Sequence, residues 1–194
     1  MVRPPNIISR DVTTTIRLQI IARTVEGKPE FRHILARVPN SRGDMTQTAT
    51  IAEEQALIAE DFDLFDDWRD RIEYVLDLGR HLEPLPAEDR IDANKVRGCQ
   101  SQVWMIAELD QATGRIAIRA DSDAFIVRGL IALLLRLYCD RPAEEILANP
   151  PTVFDEIGLG AHLSPTRANG LHAMVKRIRQ LATGFVHGAP AAAE

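Results

Sequence analysis

Asn94-Lys95-Val96-Arg97-Gly98-Cys99-Gln100-Ser101-Gln102-Val103-Trp104-Met105 sets one thiol between a glycine and a run of small polar amides, then passes directly into an apolar segment. A thiol meant only for packing normally sits inside an apolar periodic run. Cys99 sits in the turn where such a run begins. Downstream of it Val103, Met105, Ala107 and Leu109 alternate with Trp104, Ile106 and Glu108, the two-residue period of a strand. Asp110-Gln111-Ala112-Thr113-Gly114 reads as a hairpin loop, and Arg115 to Ala120 as the returning strand with Ile116 and Ile118 inward. Upstream, Lys95-Val96-Arg97 reads as a short extended piece. The expectation is an α+β fold with a small antiparallel sheet of about three strands packed by helices, two of the strands meeting at the cysteine.

The helices lie on either side of this sheet. Ile51, Leu57, Ile58, Phe62 and Phe65 recur at roughly helical spacing, with a break expected at Asp61 to Asp63. A second helix presents Phe65, Trp68, Ile72, Val75 and Leu76 on one stripe, with Gly79 as its stop and Pro84 and Pro86 beyond; Trp68 reads as core. Any of Asp121, Ser122 and Asp123 can cap the next helix, from about Ala124 to Cys139, which is apolar round most of its circumference and should be central. A short helix starts at Pro142 and ends at Asn149-Pro150-Pro151. Thr152 with Asp155 resembles a capping box. Ser164-Pro165 opens a last long helix with Lys176, Arg177 and Arg179 outward.

At 194 residues, with 45% apolar and 26% charged, the chain can build a core without disulfides or metal. A net charge of -5 argues against a nucleic-acid binder, which needs a basic face. The longest apolar run, Gly129 to Leu135, is closed by Arg136 and is too short for a membrane span. No signal-peptide order opens the chain, so a cytoplasmic protein is expected. Residues 1–44 carry eight Lys/Arg against four acids, whereas the whole chain is acidic. They read either as a basic interaction arm or, the favoured reading, as a poorly ordered extension upstream of a true start at Met45. Residues 45–186 then form the domain, and 187–194 a flexible tail.

Cys99 and Cys139 are too few for a disulfide framework, and His33, His81, His162, His172 and His187 show no HxxxH or HExxH spacing, so no bound metal is expected. Cys139, at the end of an apolar helix, reads as structural. For Cys99, Arg97 and Lys95 are near in sequence and would favour a thiolate, and Gly98 permits a sharp turn. From local chemistry alone a reactive thiol and a turn that merely contains cysteine stand level. A cysteine hydrolase needs a base within reach, and no motif places His162 or His172 there. No phosphate-binding glycine loop occurs. A thiol without a dedicated base suits sulfur exchange, where attack depends on thiolate fraction, leaving group and access.

Three blocks in one order carry a resemblance. Asn94 to Trp104 resembles the signature of the SufE family, the sulfur-acceptor partners of SufS-type cysteine desulfurases. Asp121-Ser122-Asp123-Ala124 through Ile126 to Ala132 is similar to that family's next block, and His162 to Arg167 with Gly170, Leu171, Ala173 and Met174 to its last. The resemblance spans roughly 50 to 183 and leaves residues 1–44 without a counterpart. It implies a SufE/IscU-like fold and a sulfur carrier in which Cys99 takes persulfide sulfur from the desulfurase, stimulates it, and passes sulfur to an Fe–S scaffold complex. Pyridoxal phosphate would belong to the partner, and this chain would hold no cofactor. Arg97, Gly98, Gln100, Ser101, Gln102 and Trp104 would form the loop and partner-binding residues. The flanking residues add an expectation: with Val103 and Trp104 beside it, Cys99 would be folded inward at rest, Gly98 would be the hinge, Asp123 would help hold the loop, and Arg167 would help bind the partner or neutralise the thiolate. An independent cysteine-dependent thiol enzyme and an Fe–S assembly scaffold stay open as alternatives, as does a homodimer.

Overall fold

The structure of the protein, a computed structural model, describes residues 49–187. The expected extension at 1–44 and all but the first residue of the expected tail at 187–194 lie outside the described residues.

Helix α1 (Ile51–Asp63) starts at a capping box in which the Thr50 hydroxyl accepts from the Glu53 N–H and the Glu53 carboxylate accepts from the Thr50 N–H at 2.7 Å. It does not break at Asp61 to Asp63; the chain turns only after Asp63. Asp61 faces inward, where its carboxylate meets Arg136 at 2.9 Å and accepts from the Tyr74 hydroxyl at 3.4 Å. Helix α2 (Trp68–His81) is capped by Asp67, and it runs past Gly79 instead of stopping there. Gly79 and Gly129 are where α2 crosses α3 (Phe125–Tyr138): a methyl group on Gly129 would lie 1.9 Å from the Val75 carbonyl oxygen, and one on Gly79 2.4 Å from that of Phe125. Backbones this close exclude any side chain at the crossing.

Strands β1 (Val103–Asp110) and β2 (Arg115–Ser122) form the expected antiparallel hairpin, in register from Val103 opposite Ser122 to Asp110 opposite Arg115. The third strand is β3 (Arg141–Pro142), on the other side of β2. The 95–97 piece contributes one bridge, Lys95 with Trp104, and the Val96 N–H donates to the Val103 carbonyl at 2.9 Å. A 3-10 turn at Asp92–Asn94 and the turn at Gly98 leave no length for a ladder. The α+β architecture with a three-stranded antiparallel sheet therefore stands, with its third strand supplied by a different segment.

Helix α3 is the central element, buried from Ile126 to Tyr138 except at Arg128. Its N-cap is Ala124, and none of Asp121, Ser122 and Asp123 caps it. Asp121 is instead buried beneath the 82–90 segment, accepting from the Leu85 N–H and pairing with Arg90 at 2.8 Å and with Arg128. Fully buried Arg136 ties α3 to α1 through Glu54 at 2.7 Å and Asp61 at 2.9 Å, and to α2 by donating to the Tyr74 hydroxyl at 3.2 Å. Cys139 closes α3, buried, with its sulfur 3.4 Å from the Ile118 N–H nitrogen.

Short helices α4 (Ala143–Ala148), α5 (Val153–Glu156) and α6 (Leu159–His162) lead to α7 (Pro165–Val186). The Thr152 capping box does not form, because Thr152 is itself helical and its hydroxyl donates to Gln55 at 3.1 Å. Ser164 precedes a proline at the first helical position but makes no side-chain cap bond. Arg179, expected outward, donates to the Ile146 and Leu147 carbonyls at 3.2 and 3.0 Å, satisfying the open C-terminal end of α4. No helix among the described residues is long and apolar enough to cross a membrane.

Candidate functional site: the Cys99 turn

The turn that carries Cys99 is pinned at both ends. At its start the Lys95–Trp104 bridge and the Val96–Val103 hydrogen bond hold it to β1. At its end the Gln102 N–H donates to the Asp123 carboxylate at 3.0 Å, and the Asp123 N–H donates back to the Gln102 carbonyl at 3.3 Å. Between these anchors Gly98 adopts φ +92°, a conformation that a side chain disfavours, and Ala173 of α7 packs against it. The result drives the next side chain inward.

Cys99 is half-buried and its sulfur lies 3.6 Å from the Gly170 carbonyl oxygen, to which the thiol donates. It borders a cavity of about 320 Å³. The turn contributes Cys99, Gln100 and Ser101 to the lining, α3 contributes Val127 and Leu130, and the start of α7 contributes Ser164, Thr166, Arg167, Gly170 and Met174. Burial pushes the thiol pKa above its ordinary value. At rest the thiol is thus protonated, half-screened and hydrogen-bonded, with open volume beside it.

The predicted site residues divide into two groups. Cys99, Gln100, Ser101 and Arg167 share the cavity, Gly98 shapes the turn, and Gln102 and Asp123 clasp its end. Arg97 does not line the cavity; with Lys95 it lines a separate cleft against α7. The expectation that these two cations would promote the thiolate is therefore not met in this conformation, since burial is the cause that governs the thiol. Trp104 is buried in β1, with the Arg90 guanidinium 6.0 Å from its ring. Val127 and Leu130 fall in the second sequence block and Met174 in the third, but no local signal marked them as cavity lining or the Gly170 carbonyl as the acceptor of the thiol.

Neither candidate base reaches the sulfur. His162 stacks on Trp68, with ring centroids 3.6 Å apart, which makes Trp68 a partly exposed platform and not full core. His172 lines a different hollow beside Pro150 and Pro151. Among the described residues no group of three His, Cys, Asp or Glu side chains could hold a metal ion. A larger hollow of about 520 Å³ lies between the 82–90 segment and β2, lined by residues such as Leu85, Arg90 and Arg119, with no thiol.

Residues 56–182 match the family model described as SufE: Fe-S metabolism associated domain. A SufE-like protein of Rhizobium etli is 47% identical over 126 residues, covering 63% of this chain and 85% of that protein. Another, from Rhizobium meliloti, is 42% identical over 130 residues, covering 66% and 93%. The solution structure of a hypothetical protein from Thermus thermophilus is similar in fold, with a TM-score of 0.58 at 20% identity, over 69% of this chain and 96% of that one. With the family model filling more than half its length, the chain belongs to the SufE family of Fe–S metabolism-associated domains.

Proposed function

We propose that this protein is a cytoplasmic sulfur carrier that accepts persulfide sulfur on Cys99 from a SufS-type cysteine desulfurase and delivers it to Fe–S cluster assembly. The observation that carries the reading is the Cys99 turn: a thiol folded inward after a positive-φ glycine, beside an open cavity whose lining among the described residues includes no histidine and no metal-ligand cluster. The Cys99 thiolate attacks the outer sulfur of a persulfide on the desulfurase. The new S–S bond forms on Cys99 as the old one breaks, and the desulfurase cysteine leaves as a thiolate, so electrons balance without an outside oxidant. Pyridoxal phosphate belongs to the desulfurase, and clearing its thiol accelerates its turnover.

Transfer requires the thiol to leave its shelter. The bonds that must open are few: the contact with the Gly170 carbonyl and the Gln102–Asp123 clasp. The sheltered state protects the sulfur from oxidation between transfers. Arg167 lines the same cavity, which supports a role for it in meeting the partner or the emerging thiolate. Hydrogen exchange across residues 96–104 tests this motion. The segment should lose protection when the desulfurase is added, and protection that stays the same rules out a swinging turn.

A further inference from the structure

The segment entering the Cys99 turn also builds a second feature that the sulfur chemistry does not use. Lys95, Val96 and Arg97 form one wall of a cleft of about 180 Å³, and Ala173, Lys176 and Arg177 of α7 form the other. Every titratable group lining it is basic, in a chain whose net charge is -5. Lys95 is already paired, to Asp92 at 2.6 Å. The Asp92 carboxylate also feels the charge of Arg97, whereas among the described residues Lys176 and Arg177 form no salt bridge, and the Nε of Arg177 is enclosed without any hydrogen-bond acceptor. An enclosed guanidinium N–H without an acceptor is costly, and such groups are normally satisfied. Burial accordingly pulls the Arg177 pKa below its ordinary value.

The position of the cleft indicates what satisfies it. Ala173, in its wall, is the residue packed against Gly98, and the opposite wall leads directly into Cys99. A protein interface of ordinary size covers about 800 Å² of each partner, so a protein docked over Cys99 also spans this cleft. The planar fork of a guanidinium matches a carboxylate in two-point fashion. We infer that the cleft receives a carboxylate side chain of the docking desulfurase, making Arg177 and Lys176 an electrostatic anchor for the partner. This inference rests on the sulfur-transfer reading of Cys99 and adds to it an acidic recognition point on the partner's surface. The anchor lies on α7, outside the turn, so it holds the partner while leaving the turn free to move.

Two measurements test it. In the first, the Arg177 Nε–H resonance is followed by NMR while an acetylated, amidated Asp-Glu-Asp tripeptide is added, with the Asn-Gln-Asn tripeptide and inorganic phosphate as separate arms. A saturable shift with the acidic peptide alone, abolished in Arg177→Gln, supports the carboxylate site. A shift with phosphate only, or with none of the three, overturns it. In the second, affinity for the desulfurase is measured with Lys176→Glu and Arg177→Gln, each first checked for a native melting transition. A loss of about tenfold or more is expected from removing an enclosed interfacial charge, while persulfide formation at saturating desulfurase stays as in the unaltered chain. Unaltered affinity in both variants overturns the anchor and leaves the sulfur carrier standing. If the unaltered chain takes no sulfur at all, the carrier reading falls, and the peptide titration still decides the cleft.

Discussion

Cys99 in its resting turn is a poor nucleophile by construction. Its thiol donates to the Gly170 carbonyl, and burial raises its pKa, so ionisation is disfavoured in this conformation. Alkylation of the free protein by iodoacetamide should therefore be slower at neutral pH than that of an unstructured cysteine peptide. Its rate should climb only above the pH range where the peptide titrates. A profile shifted to lower pH would mean an activated thiol and contradict the sheltered one. The residues that place the thiol in a turn, Gly98 and the polar Gln100 to Gln102, can be read locally because they act locally. The direction of Arg97 and the role of Gly170 cannot, because both depend on α7, about 70 positions further along the chain.

The elements are held by two devices that the hydrophobic pattern does not reveal. Where α2 meets α3, Gly129 leaves no space beside the Val75 carbonyl oxygen. Gly129→Ala should cost about 3 kcal/mol, as overpacking forces the helices apart, measured by urea unfolding; a native midpoint would show that the crossing can relax. The second device is Arg136, fully buried in the central helix and balanced by Glu54 and Asp61. Arg136→Met should destabilise the protein by about 3–5 kcal/mol, since two carboxylates lose their counter-charge in the core. The loss should shrink when Glu54→Gln and Asp61→Asn accompany it, and equal losses with and without them would exclude a charge effect. The hairpin, the central helix and the long last helix were legible because each has a clean period. Gly79 was misread as a stop because a glycine at a helix crossing and one at a helix end look alike in sequence. Asp61 was misread as a break because its partner lies 75 positions away.

At the scale of the molecule, nearly everything positions one turn. Strand β1 anchors its start and Asp123, just past β2, its end; α3 floors the cavity with Val127 and Leu130, and α7 supplies the acceptor, Arg167 and one wall of the basic cleft. Residues 56–182 match the SufE family model and include all of these parts. The three sequence blocks announced that family before any geometry, whereas the third strand at Arg141–Pro142 was illegible: two residues carry no period, and their pairing is set by how α3 ends. The central claim is that Cys99 receives sulfur. It is tested most directly by mass spectrometry after the chain is mixed with a SufS-type desulfurase, pyridoxal phosphate and free cysteine, without reductant. The account predicts that the peptide holding Cys99 gains the mass of one or more sulfur atoms, that reduction removes the gain, and that Cys99→Ser abolishes it while Cys139 stays unmodified. An unchanged Cys99 peptide, with the desulfurase shown to be active, would contradict it.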